Sequence, residues 1–163
     1  MPTVRAFLVF AVLSASAADA QSRLNPSVLE GVWVRVEQIR PDQTKYASQP
    51  GLRIFSGGHY SWVAAFGEGP RPAMPDSATA TAAQLRSVWG NTAFTAESGT
   101  FVVQGGQLTQ TPVVAKNPGE MGQGWYENFS FRVVGDTLYM TQIENPRGIL
   151  LGTQPTGKYV RVR

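Results

Sequence analysis

Apolar residues fall at alternate positions through most of the chain, and a period of two predicts β-strands. Val32, Val34 and Val36 alternate with Trp33, Arg35 and Glu37, a half-buried strand that Pro41 and Asp42 end. Residues 51–55 make a second short strand, and Gly57-Gly58 reads as a two-residue hairpin turn. The return strand, His59 to Phe66, puts Tyr60, Trp62, Ala64 and Phe66 on one face. After the proline-rich stretch 67–76 the spacing changes. Ala82, Leu85, Val88 and Trp89 recur at helical intervals, predicting one helix over about 79–89. Asp76, Ser77 or Thr79 would cap it and Gly90 would stop it. Strands resume at 98–104 and 107–115 around Gly105-Gly106, at 125–134 and 137–144 around Gly135-Asp136, and at 159–163.

Eight strands joined mostly by tight turns, with one short helix after the third, predict an all-β, antiparallel, up-and-down arrangement. Closing such a sheet into a barrel removes its exposed edges. An eight-stranded barrel has an interior that side chains fill or that holds one small ligand. An open sandwich is the competing architecture. With 163 residues and neither a repeat nor a low-complexity tract, the chain supports a single domain.

Composition narrows the chemistry. Cysteine is absent and His59 is the single histidine, which excludes disulfides, thiolate metal sites and multi-histidine metal sites. Acidic residues form no run of the kind calcium needs, so no metal and no cofactor is expected. A net charge of +3 with scattered basic residues makes no nucleic-acid patch. Residues 1–20 carry Arg5, the apolar run Ala6 to Leu13, and Ala18-Asp19-Ala20, the order of an export signal cleaved near Ala20. The apolar run is far shorter than the ~20 residues that span a bilayer. The reading is therefore a signal peptide over 1–20 and a barrel domain over 21–163, secreted or periplasmic, with no membrane span.

Several motifs occur in an order that resembles the bacterial lipocalin-like domain family. Gly31-Val32-Trp33 matches the G-x-W that opens the first lipocalin strand. Residues 49–55 with Gly58-His59-Tyr60-Ser61 resemble that family's second hairpin, and Gly99-Thr100-Phe101 its G-T-aromatic strand. Asn117-Pro118 with Gly122 to Gly124, and Asp136 to Thr141, resemble its later connections. The resemblance spans about residues 29–162 and implies an eight-stranded barrel; related barrels bind small apolar molecules, and some are cofactor-free isomerases or cyclases. It also implies a structural trio: Gly31, Trp33, and a terminal arginine, Arg161 or Arg163, laid over the tryptophan. The stretch Leu108-Thr109-Gln110-Thr111 lacks the histidines of many family members, so histidine-dependent chemistry does not carry over, and Gln110 is the polar candidate there.

The candidate ligand contacts are Tyr60, Trp62, Phe66, Trp89, Gln110, Trp125, Glu127 and Phe129. Alternation puts Glu127 on one face with Trp125, Phe129 and Phe131, opposite Tyr126, Asn128, Ser130 and Arg132. A carboxylate among apolar neighbours needs a partner, or its pKa rises. It is either a solvated rim residue or a ligand anchor. Tyr60, Trp62 and Phe66, with Trp89 from the helix, make an aromatic wall or simply core. Arg35 and Glu37 are a surface pair if the valines face inward, and an interior anchor if Trp33 does; the pattern leaves this open. The leading function is an exported barrel for a small, mainly apolar molecule. The alternatives are a cofactor-free isomerase or cyclase using Glu127, His59 or Tyr60, and a protein-interaction module using the loop around Arg71.

Overall fold

The computed structural model describes residues 25–163 except 68, 91 and 123. The expected export signal lies outside the described residues. Among the described residues ten strands form: β1 (Gly31–Ile39), β2 (Lys45–Ala47), β3 (Gly51–Ser56), β4 (His59–Ala65), β5 (Phe94–Gln104), β6 (Gln107–Ala115), β7 (Glu127–Val134), β8 (Thr137–Asn145), β9 (Gly148–Ile149) and β10 (Thr156–Arg161). Eight of them pair antiparallel in the cyclic order β1-β3-β4-β5-β6-β7-β8-β10, and β10 returns to β1. The sheet is a closed up-and-down barrel.

The helix, α1 (Ala82–Trp89), follows β4 and not the third strand. The reason is the short β2, which the alternation left in a loop; it pairs with the end of β1 through Glu37, Gln38 and Ile39. The helix also starts later than the capping signals at 76–79 predict. Thr81 is the N-cap, and its hydroxyl and the Gln84 side chain exchange hydrogen bonds with each other's backbone, a capping box.

The connections divide the barrel into two unlike ends. The three glycine-bearing two-residue hairpins are at one end, and the Gly57-Gly58 turn has φ of 55° and 78° at its two centres, the geometry that matches strand twist. That end is sealed. A 3-10 turn at Pro26–Val28 brings Leu29 beneath the barrel, where Leu29 is fully buried. Trp33 donates its indole N–H to the Leu29 carbonyl at 2.7 Å. The Arg161 guanidinium lies 4.1 Å from the Trp33 ring and donates to the carbonyls of Glu30 and Val28. Gly31, at φ 120°, carries no Cβ where one would stand 3.0 Å from Arg161 Nη1. Above this plug the interior is filled by Phe55, Tyr60, Phe101, Leu108, Phe131 and Leu138. Each side chain of this size contributes about 1.5–3 kcal/mol on burial.

The longer connections, including α1, lie at the opposite end. On β1 it is Trp33 and Arg35 that face inward, while Val34 and Val36 are exposed. A bulge between Arg35 and Glu37 then turns the strand. Arg35 stays inside, and Glu37 leaves the interior to face Lys158 at 3.7 Å. The two charges that alternation put on one face are thereby separated.

Candidate functional site

The mouth holds a cavity of two adjoining lobes, of about 160 Å³ and about 170 Å³, that share Trp62, Phe66 and Gln142 in their walls. The larger depression of about 550 Å³ over Val34, Leu52 and Val63 on the outer wall carries no buried charged side chain. The mouth does.

The first lobe is basic. Arg53 projects inward from the middle of β3 between the buried Gly51 and Phe55, and is 2% exposed. Its Nη1 donates to Gln110 Oε1 at 3.0 Å and its Nε to the Tyr159 hydroxyl at 3.2 Å. The guanidinium carbon lies 4.0 Å from the centroid of the Trp62 ring and 5.1 Å from that of Phe129. Arg35, 6% exposed, stands beside it and donates from Nη2 to the carbonyls of Ala65 and Gln49 at 2.6 and 3.1 Å. Burial lowers the Arg35 pKa, and the positive charge of Arg53 lowers it further. Among the described residues neither arginine makes an ion pair with a carboxylate. Met140, Gln154 and Gly157 complete the wall.

The second lobe is acidic. Glu127, the first residue of β7, and Glu97 on β5 both line it, 8% and 4% exposed. Gln142 Nε2 donates to Glu127 Oε1 at 3.0 Å. Burial and the neighbouring Glu97 carboxylate push the Glu127 carboxyl up to about 8, and burial raises Glu97 as well. Two carboxylates this close titrate as one unit. Burial also raises the Tyr60 phenol, with Glu97 and Glu127 adding to it. Lys116 lines the same lobe, its ammonium held by the carbonyls of Gly90 and Phe94 at 3.0 and 2.8 Å.

The structure brings together Trp62, Phe66, Glu127 and Phe129 as cavity wall. Tyr60 and Gln110, 3% and 0% exposed, are packed beneath it; Gln110 reaches the cavity only through Arg53. Two candidates are elsewhere. Trp89 is half exposed at the end of α1, edge-on to Phe94 at 5.8 Å, because α1 buries only Val88 and turns this tryptophan outward. Trp125 precedes β7, so strand alternation does not govern it; it faces Arg147 at 5.3 Å. His59 is exposed at the sealed end, and Arg71 is tied to the Val88 carbonyl at 2.9 Å.

Arg53 and Glu97 are functional-site residues that the sequence pattern did not single out. A signal existed for Arg53: in Gly51-Leu52-Arg53-Ile54-Phe55 it shares a face with Phe55. It was readable only once the inner face was known, since Leu52 and Ile54 make the other face equally apolar. Glu97 precedes the expected start of its strand at 98, and β5 extends four residues further than its apolar pattern, to Phe94.

Closed order, plugged end and open mouth settle the architecture. The chain folds as a lipocalin-like barrel. No protein-family model matches the sequence, and no curated protein matches it. Among solved structures the chain is similar to a lipocalin-like protein from Bacteroides uniformis, at 11% identity and a TM-score of 0.46, over 82% of this chain and 98% of that one. It is also similar to a redesigned β-barrel, at 11% identity and a TM-score of 0.42, over 85% and 95%. Among the described residues no helix is long and apolar enough to cross a membrane, and no group of histidines and carboxylates is placed to hold a metal ion.

Proposed function

We propose that the protein is an exported binding barrel for a small molecule with an apolar, ring-sized body and an anionic head. The observation that carries this reading is the pair Arg35 and Arg53, both buried at a cavity wall with no carboxylate paired to either among the described residues. A buried charge with no counter-charge in contact is costly, and the Glu97 and Glu127 carboxylates act on Arg53 across the cavity without an ion pair. A ligand carboxylate brought to two adjacent guanidiniums supplies that charge in a bidentate geometry that arginine favours. Trp62, Phe66, Phe129 and Met140 supply the apolar contact. A lobe of about 160 Å³ suits a group about the size of a benzene ring, since an apolar cavity of ~150 Å³ takes benzene. The mainly apolar ligand suggested by the aromatic residues thus acquires a charged end. Export rests on the signal pattern of residues 1–20.

The test compares phenylacetate with its neutral counterpart 2-phenylethanol by calorimetry and tryptophan fluorescence. The acid is expected to bind about tenfold or more tightly than the alcohol, a difference of ~1.4 kcal/mol. Arg53→Gln is expected to erase the preference. Equal affinities for acid and alcohol in the wild type would overturn the reading.

A further inference from the structure

The acidic lobe has no role in holding an anion, and its polar atoms are left incomplete. Glu97 Oε1, Glu127 Oε2 and the Tyr60 hydroxyl are buried beside one another with no hydrogen-bond partner outside this trio. When both are ionised the two carboxylates only accept, and both line the cavity. Their owners are 96% and 92% buried, taking the complement of 4% and 8% exposure. Trp62 and Phe66 stand edge to face at 6.0 Å in the wall of the same lobe. An acceptor pair beneath aromatic rings suits a group that has several N–H donors, a positive charge and no acceptor.

We propose that this lobe is an ammonium subsite, taking the –NH3⁺ of a small primary amine between Glu97 and Glu127. The inference rests on the reading of the mouth as a ligand cavity and extends it: a ligand with both groups is a small aminocarboxylate, its carboxylate at Arg35 and Arg53 and its ammonium at the two glutamates, with Trp62 and Gln142 bordering both lobes.

Proton balance gives the subsite a signature. The groups facing Glu127 are Glu97 from β5, Arg53 from β3, Tyr60 from β4, Gln142 from β8, Glu120 from the turn before β7, and Lys116 after β6. Without a ligand, burial and the repulsion between the carboxylates keep a proton on the pair below about pH 8. An arriving ammonium replaces that proton as the neutralising charge, and the proton leaves to solvent. Amine affinity therefore rises with pH up to about 8 and then levels.

Benzylamine and the neutral benzyl alcohol are the probes, titrated by calorimetry at pH 6 and pH 8 in two buffers of different ionisation enthalpy. The expected result is tighter binding of benzylamine than of the alcohol, about tenfold or more tightly at pH 8 than at pH 6, with release of up to about one proton at pH 6. Glu127→Gln and Glu97→Gln, which keep the shape and remove one charge, are expected to abolish the amine preference and the proton release. Phenylacetate binding to the same variants shows that they are folded. If phenylacetate binds and benzylamine does not, or if benzylamine binds equally to both glutamine variants, the subsite is refuted while the binding function stands. If neither probe binds the wild type, both readings fall.

Discussion

The Arg53 guanidinium carbon stands over Trp62, 4.0 Å from the ring centroid, while its Nη1 and Nε donate to Gln110 and Tyr159. The cation meets the ring while its N–H groups donate elsewhere, so a single side chain from β3 ties together β4, β6 and β10. Lysine offers a point charge without this fork of donors. Arg53→Lys is expected to cost about 1–3 kcal/mol, because it leaves Gln110 Oε1 and the Tyr159 hydroxyl short of a donor in the interior. Urea unfolding followed by far-ultraviolet circular dichroism measures it; a loss under about 0.5 kcal/mol would show that the network holds without the fork.

The glutamate pair makes stability depend on pH in a direction opposite to that of ordinary carboxylates. Glu127 has a folded pKa of about 8 against an ordinary value of 4.5, so the native state holds its proton more tightly than the unfolded chain. The stabilisation is complete below about 4.5 and is lost as pH rises through about 8. Midpoints of urea unfolding are expected to fall between pH 5 and pH 9, by on the order of a few kcal/mol in stability. In Glu127→Gln the fall is expected to flatten. A wild-type profile that is level across this range would contradict the raised pKa.

Fluorescence separates the four tryptophans by position. Trp62 lines both lobes, whereas Trp89 is half exposed on α1. Trp89→Phe is expected to leave ligand-induced quenching intact, and Trp62→Phe to remove most of it. The reverse result would place the ligand near α1.

At the sealed end, Gly31→Ala forces a side chain onto a residue at φ 120° and toward Arg161. The expected cost is about 1–3 kcal/mol from backbone strain. Arg161→Ala is expected to cost a comparable amount, because it uncovers Trp33 and strips a donor from the carbonyls of Val28 and Glu30. Because both residues serve the same contact, the double variant is expected to cost less than the two single losses added together. Additive losses in denaturant titrations would show that Gly31 and Arg161 act independently.

The sequence by itself determined the alternation of the strands, the glycine hairpins at one end, one short helix, and the eight-strand arrangement that encloses an interior. These features are local: turn chemistry and a period of two act within a few residues. It also put Glu127 on the same face as Phe129 and Phe131. Which face was inside was decided only by closure. Each face of β1 and β3 carries an apolar or aromatic residue, and outward valines are stable on a barrel wall because β-branched side chains suit a pleated surface. Alternation alone therefore could not tell that Trp33, Arg35 and Arg53 point inward. A bulge, invisible in composition, sent Glu37 outward while Arg35 stayed in. The meeting of Arg53 with Trp62, and of Glu97 with Glu127, joins strands distant in the chain. Such contacts exist only after the barrel closes, when low polarity and enforced proximity give the buried charges their chemistry.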